Sequence, residues 1–210
     1  MSTIEIPISK ILKFKRLPHS LTVVDVGARK GVLSGLPELK QWRRDIDVIA
    51  VEPNEDFENL KQSETGWRSI RFIDKPLAEK EGAVILYEIP NHKGLSSLYK
   101  INEDVFQRFA VFRHKYGTQL HKIVEKKLQA TTLDAVCAEA DIIKLDTQGS
   151  ELDILKGGVN LLETVSLISI EVEYQEQYHN QPLFKDVLKW LKDFELMHIE
   201  PKFHKSDNGI

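Results

Sequence analysis

Residues 21–31, LTVVDVGARKG, and residues 47–54, DVIAVEPN, decide how the chain folds. Thr22 to Val26 is short, apolar and rich in β-branched side chains, the signature of a strand buried on both faces. It runs into a tight turn, Gly27-Ala28-Arg29-Lys30-Gly31. A second buried strand, Ile46 to Val51, ends on Glu52. In an open α/β sheet, ligands sit outside the carboxyl ends of the strands, so this pair of strand ends outlines a nucleoside-binding crevice.

The same rhythm continues outward. Residues 33–43 read as a helix, interrupted by Pro37. Asn54 is placed to cap a helix over 55–62 with Glu55, Asp56 and Glu58 in its first turn. Strands are expected at 69–73 and 83–89, separated by the turn-forming Glu79-Lys80-Glu81-Gly82. From Pro90 to about Lys127 the alternation stops, and Val105, Phe109, Phe112 and Tyr116 fall at helical spacing. Residues 90–128 therefore read as an insertion that builds a lid or substrate wall. A helix over 132–138 follows, with Thr131 or Thr132 as its cap. The strand Ile142 to Leu145 then ends at Asp146, and the turn Thr147-Gln148-Gly149-Ser150 leads to a helix from Glu151 to Lys156 stopped by Gly157-Gly158. A further strand is expected over 165–172, then a helix carrying Phe184, Val187, Leu188, Leu191 and Phe194, and a last strand over 195–199.

Strand and helix in alternation with short loops mean an α/β fold, a mostly parallel sheet with helices on both faces. The 210 residues read as a single domain, with residues 1–20 a helical N-terminal extension in which 7–16 form a basic amphipathic helix. With 41% hydrophobic and 29% charged residues the composition is that of a soluble globular protein. A net charge of -3 argues against a nucleic-acid partner. No apolar run approaches the roughly 20 residues of a membrane span. One cysteine, Cys137, suits a reducing, cytoplasmic setting and reads as a packing residue.

The parallel-sheet rule selects Asp25 to Gly31, Glu52 to Asn54, Asp74, Asp146 to Gly149 and Glu171 to Tyr174. Gly27 and Gly31 let the backbone turn and approach a ligand. Glu52 can accept both hydrogen bonds of a ribose diol, and Asp74 can accept from an exocyclic amine such as that of adenine. The ligand is thus an adenosine compound. The turn is one glycine short of G-x-G-x-x-G, and no Walker-type phosphate loop is present. S-adenosylmethionine has no pyrophosphate to cradle, so the sparser turn suits it.

The ordered motifs resemble the FkbM family of S-adenosylmethionine-dependent methyltransferases over roughly residues 20–200. The DVGANxG element corresponds to Asp25-Val26-Gly27-Ala28-Arg29-Lys30-Gly31, with Arg29 in the usual Asn position. E-P-N is Glu52-Pro53-Asn54. N-x-A-L corresponds to Asp74-Lys75-Pro76-Leu77, S-S-L to Ser96-Ser97-Leu98, and T-T-L-D to Thr131-Thr132-Leu133-Asp134. The I-K-I-D-V-E-G-x-E element is Ile143-Lys144-Leu145-Asp146-Thr147-Gln148-Gly149-Ser150-Glu151, with Gln148 replacing the usual Glu. The resemblance implies a class I, Rossmann-like methyltransferase acting on a hydroxyl of a sugar, glycan or other small molecule. It implies cofactor contacts from Asp25, Gly27, Ala28, Gly31, Glu52, Pro53, Asn54, Asp74, Leu77, Ser97 and Asp146. Such a sheet usually ends in an antiparallel hairpin. Here the sequence closes on the turn-like KSDNGI, so either the chain is cut short or the last antiparallel strand is missing.

Methyl transfer to an alcohol needs alignment and one base. Asp146, Glu173 and His179 are the candidates. Asp146 could instead cap the next helix, Glu171 could pair with Lys144 or Arg29, and His179 could be a solvated loop residue. A divalent metal held by Asp146, Glu171, Glu173 and His179 is a further possibility. The basic residues Arg113, His114, Lys115, His121, Lys122, Lys126 and Lys127 read as a solvated helix face or as contacts to an anionic acceptor. Arg29 and Lys30 either face solvent, meet the methionine carboxylate or reach an acidic acceptor. Two other function classes stay open, a non-catalytic adenosyl-ligand or partner-binding module and an NAD-dependent oxidoreductase.

Overall fold

The computed structural model describes residues 19–53, 57–108 and 122–200. Five strands form one parallel sheet: β1 (Leu21–Val26), β2 (Ile46–Val51), β3 (Ser69–Ile73), β6 (Ile142–Leu145) and β7 (Leu167–Ile170), in the order β3-β2-β1-β6-β7. The order reverses beside β1, the switch point at which an open α/β sheet leaves a crevice. Register is continuous across it, with Val24 opposite Ile49 on one side and Ile143 on the other.

Period-two alternation sorts the strands' side chains into two cores. Val24, Val26, Ile49, Val51, Ile143 and Leu145 face one way and meet Leu133, Ile154 and Leu155. Val23, Val48, Ala50 and Ile142 face the other way, onto Leu39 and Trp42. Full burial of each such aliphatic side chain contributes about 1.5–3 kcal/mol. Short helices flank the sheet: α1 (Phe57–Ser63), α3 (Leu133–Val136), α4 (Glu151–Lys156), α5 (Val159–Leu162) and α6 (Phe184–Trp190). No described helix is long and apolar enough to cross a membrane.

Between β3 and β6 the chain leaves the sheet. β4 (Gly82–Glu88) and β5 (Val124–Ala130) form a separate antiparallel ribbon. A 3₁₀ turn, Pro90–Leu95, and helix α2 (Glu103–Arg108) lie between them. The excursion is tied back where Ala78 N donates to Thr131 O and Thr131 N to Pro76 O, both at 3.0 Å.

Several expectations change. β5 lies in what reads as an irregular, lysine-rich insertion. Its exposed face carries Glu125, Lys127 and Gln129 while Leu128 and Ala130 turn inward. Lys126 and Lys127 are therefore strand residues, not part of a helix face, and Lys126 forms an ion pair with Glu88. The helix expected over 33–43 is a 3₁₀ segment, Pro37–Asp45, broken at Trp42. Pro37 can only start it, and the preceding residues are spent on a turn in which Leu33 takes φ 53°. Residues 195–199 form no strand; Leu196, Met197 and Ile199 stay exposed because no neighbouring ladder receives them. β7 is accordingly the last strand among the described residues. The expected N-terminal helix, the cap Asn54 with Glu55 and Asp56, Phe109, Phe112 and Tyr116, and Arg113, His114, Lys115 and His121 lie outside them.

Candidate functional site

At the carboxyl ends of the strands a frame is set by backbone bonds. Glu52 N donates to Ile73 O (3.0 Å), Gly27 N to Val51 O (3.0 Å), Asp146 N to Val26 O (3.1 Å) and Glu171 N to Leu145 O (2.9 Å). Each residue just past a strand is thus anchored to the last carbonyl of the next strand. Gly27 takes φ 82°, and a Cβ there would sit 2.0 Å from Asp146 O. Only glycine satisfies both the left-handed turn and that close approach.

Beneath the turn lies a buried ion pair. Asp25 and Lys144 are register partners on β1 and β6, and Lys144 Nζ is 3.1 Å from Asp25 Oδ1. Lys144 also donates to Gly27 O at 3.2 Å. Asp25 Oδ2 accepts from Leu33 N at 2.6 Å. Burial pushes the Asp25 carboxyl above its usual range, against the opposing pull of Lys144 and the Leu33 amide. This pair clamps both ends of the glycine turn.

Over the frame opens a cleft of about 710 Å³, counted out to its mouth in solvent. The sheet supplies Gly27, Glu52, Pro53 and Asp146 to its lining, and the excursion supplies Pro76, Leu77, Leu86, Ser96, Ser97 and Leu98. Glu52 is only 2% exposed although it is a carboxylate. Ser97 Oγ donates to Gln148 O at 2.7 Å, and Tyr99 Oη donates to Asp153 on α4. Those two bonds staple the excursion to the 146–150 turn. Burial first, then the Asp153 hydrogen bond, pushes the Tyr99 hydroxyl well above its usual range.

The 146–150 turn is itself constrained. Gln148 takes φ 63° and Gly149 φ 109°. Gln148 Nε2 donates to Asp146 Oδ1 (3.1 Å) and to Glu171 Oε2 (2.8 Å), so one amide lies between two carboxylates. Tyr178 Oη lies 3.3 Å from Gln148 Oε1 and 3.1 Å from Leu95 O. Behind the turn, the Glu151 carboxylate accepts from Thr147 N (2.7 Å), Thr147 Oγ1 (3.0 Å) and Gly149 N (2.9 Å). Burial pushes its pKa up to about 7, against those donors.

The structure brings Gly27, Glu52, Pro53, Leu77, Ser97 and Asp146 to the one cleft. The other expected residues that fall among the described ones lie elsewhere. Asp25 is sealed beneath the turn, Ala28 is fully buried, and Gly31 lies off the cleft, where a Cβ would approach Glu64. Asp74 is exposed beyond β3 and does not line the cleft, whereas Pro76 and Leu77, two and three residues further on, are buried and do. Glu171 and Glu173 line a smaller adjoining recess on the far side of Gln148. His179 is exposed, its amide donating to Lys100 O, while its neighbour Tyr178 turns inward. Among the described residues no group of three or more His, Cys, Asp or Glu side chains is arranged to hold a metal ion. Glu171 is bridged to Asp146 through Gln148, and Lys144 pairs with Asp25. Cys137 follows α3, half-buried against the core, its thiol directed at Glu139 O.

A five-stranded parallel sheet in this order, with a ligand cleft at its switch point and an excursion forming the outer wall, defines a Rossmann-like fold of the methyltransferase type. The Methyltransferase FkbM domain matches residues 25–196, and the chain belongs to that family. The 2-O-methyltransferase NoeI of Sinorhizobium fredii (strain NBRC 101917 / NGR234) is 33% identical over 85 residues, 38% of this chain. The match covers 35% of that relative's length. No solved structure matches the chain.

Proposed function

We propose that the protein is an S-adenosylmethionine-dependent O-methyltransferase that methylates a hydroxyl of a sugar, glycan or related small molecule, and that it works in the cytoplasm. Family membership and the 2-O-methyltransferase relative support the reaction class. The observation that carries the cofactor assignment is Glu52, a carboxylate 2% exposed at the tip of β2, lining the same cleft as Gly27. A buried carboxylate facing a cleft suits a partner with paired hydroxyl donors, such as a ribose diol. The absent side chain of Gly27 lets the turn close against Asp146, so the residues present fit an adenosyl ligand. When bound, the sulfonium supplies an electrophilic methyl group and its own leaving group.

What remains for the chain is to orient a hydroxyl and to take its proton. Asp146 is the base, because it alone of the three candidates lines the main cleft. Gln148 Nε2 donates to its Oδ1, and Lys144 Nζ stands 3.9 Å from its Oδ2, so the carboxylate is fixed in orientation. The excursion, with Ser97 and Leu98, supplies the outer wall of the cleft.

Calorimetry with S-adenosylmethionine and its demethylated product tests the assignment. Glu52→Ala should weaken both by about 1.5–3 kcal/mol, the loss of a charge-assisted hydrogen bond. Asp146→Asn should leave donor binding within about twofold and lower kcat by about 10²–10⁴. No binding heat from the wild-type chain with either compound would overturn the proposal.

A further inference from the structure

Three cations are among the residues that line the cleft: Arg29 and Lys30 from the glycine turn, and Lys93 from the 90–95 turn of the excursion. Two separate segments contribute them, and the fold brings them together. Gly94 makes the arrangement possible, since a Cβ there would lie 2.6 Å from Arg29 Nη2. The missing side chain at Gly94 is the seat of the guanidinium. The anionic members of the lining, Glu52 and Asp146, come from the sheet side. The cleft is therefore polarised, with carboxylates at the strand ends and cations where the glycine turn meets the excursion.

This polarity does not suit the donor. The amino-acid end of S-adenosylmethionine carries an ammonium beside its carboxylate, and the sulfonium leaves the molecule with a net positive charge. With Glu52 assigned to the ribose and Asp146 to the acceptor's proton, cations from two separate segments outnumber the donor's one carboxylate, and they suit a second anionic group, a phosphate or a carboxylate with no cation of its own. Resting on the methyltransferase reading, we infer that the acceptor is an anionic hydroxyl compound, a phosphorylated or uronic-type sugar whose acid group is held by Arg29, Lys30 and Lys93. The acid group then orients the acceptor, and Asp146 on the opposite side receives the proton of the hydroxyl to be methylated.

Acid-sugar binding can be read without the donor. The full chain is titrated calorimetrically with glucose 6-phosphate, glucuronate and glucose, in roughly 50 mM and 500 mM NaCl, where screening differs severalfold. At least one acid sugar should bind about tenfold or more tighter than glucose, and lose that advantage at high salt. Whichever acid binds better distinguishes phosphate from carboxylate as the recognised group. The Arg29→Asn/Lys93→Gln variant should lose about tenfold in acid-sugar affinity and bind S-adenosylhomocysteine within about twofold of wild type. Gly94→Ala, which displaces the guanidinium without removing its charge, should reproduce the Arg29 part of the loss, with unchanged melting as the control for folding. Equal wild-type affinity for glucose and both acids would overturn the inference. So would a variant that loses S-adenosylhomocysteine but keeps 5′-methylthioadenosine, which lacks the amino-acid end; the cations would then belong to the donor. Acid-sugar binding with no donor binding would leave the anion site standing and sink the methyltransferase assignment instead.

Discussion

Lys144→Met tests the Asp25–Lys144 clamp most sharply. Both side chains are sealed, Asp25 at 0% and Lys144 at 4% exposure, so no water replaces the ammonium when it is removed. Asp25 keeps the Leu33 amide as a donor, and Gly27 O loses its 3.2 Å lysine contact. Removing one partner of a buried pair costs about 3–5 kcal/mol, because the other charge stays behind uncompensated. Methionine fills most of the stem volume, so little of that cost is cavity. The deficit must also depend on pH. Burial already places the folded-state pKa of Asp25 above its unfolded value, and Lys144 is the chief influence opposing that rise. Without the lysine the pKa climbs further. A group raised on folding contributes stability that is fully present below its unfolded pKa and is lost as pH rises through the folded one. The Lys144→Met deficit is therefore smallest in acid and grows toward neutrality. Urea unfolding at intervals from about pH 4.5 to 8 measures this directly. Asp25→Asn added to Lys144→Met removes the stranded charge and should recover stability to within about 2 kcal/mol of wild type. A pH-independent deficit, or no recovery in the double variant, would refute the clamp.

Other perturbations probe the rest of the frame. Gly27→Ala combines a left-handed φ with a 2.0 Å approach to Asp146 O, so it should cost at least about 2 kcal/mol and abolish detectable donor binding, read by thermal melting and calorimetry. Gln148→Glu replaces the donor between Asp146 and Glu171 with a third acceptor. It should lower stability by about 1–3 kcal/mol near pH 8, with recovery near pH 5.5 or on adding magnesium; an unchanged melting curve would deny the bridge. Glu151, raised to about 7 from 4.5, contributes stability that is lost as pH climbs through that interval, roughly 3 kcal/mol in all. The fall in wild-type stability between about pH 5 and 8 should flatten in Glu151→Gln, and parallel pH profiles would exclude a titrating Glu151.

The sheet was legible because its strands are short segments rich in Ile, Val and other apolar residues, and those at 46–51, 69–73 and 142–145 need no revision. Glycine and acidic residues at the strand ends are equally visible, since only there does an otherwise apolar sequence change character. The ribbon strand β5 was not, because a half-exposed strand rich in lysine resembles a solvated helix face unless its period-two alternation is weighed first. The clamp had a signal. Asp25 and Lys144 are single opposite charges within two apolar strands, and adjacent strands can pair what each cannot bury alone. Gln148 was visible as a departure from the family's Glu, but its bridging role was not, and Tyr178 left no signal, as both depend on two positive-φ residues shaping the 146–150 turn. The inward turn of Tyr178 and outward turn of His179 likewise depend on loop geometry that periodicity does not encode.

The two halves of the cleft differ in how firmly they are fixed, and that difference assigns their roles. Gly27, Glu52 and Asp146 follow buried strands and are each bonded through their own amide to a neighbouring strand. The buried ion pair adds no great net stability over apolar residues. It does, however, hold Gly27 O through Lys144 and Leu33 N through Asp25, which apolar side chains cannot do. Such a frame suits a part of the reaction common to every turnover, the methyl donor and the base. The opposite wall reaches the frame through individual hydrogen bonds, Ser97 to Gln148 and Tyr99 to Asp153, and through the seating of Arg29 at Gly94. Substitutions on that wall can alter charge and shape while the strand ends keep their geometry. Donor affinity should therefore track changes at 27, 52 and 144, and acceptor choice should track changes at 29, 93 and 94.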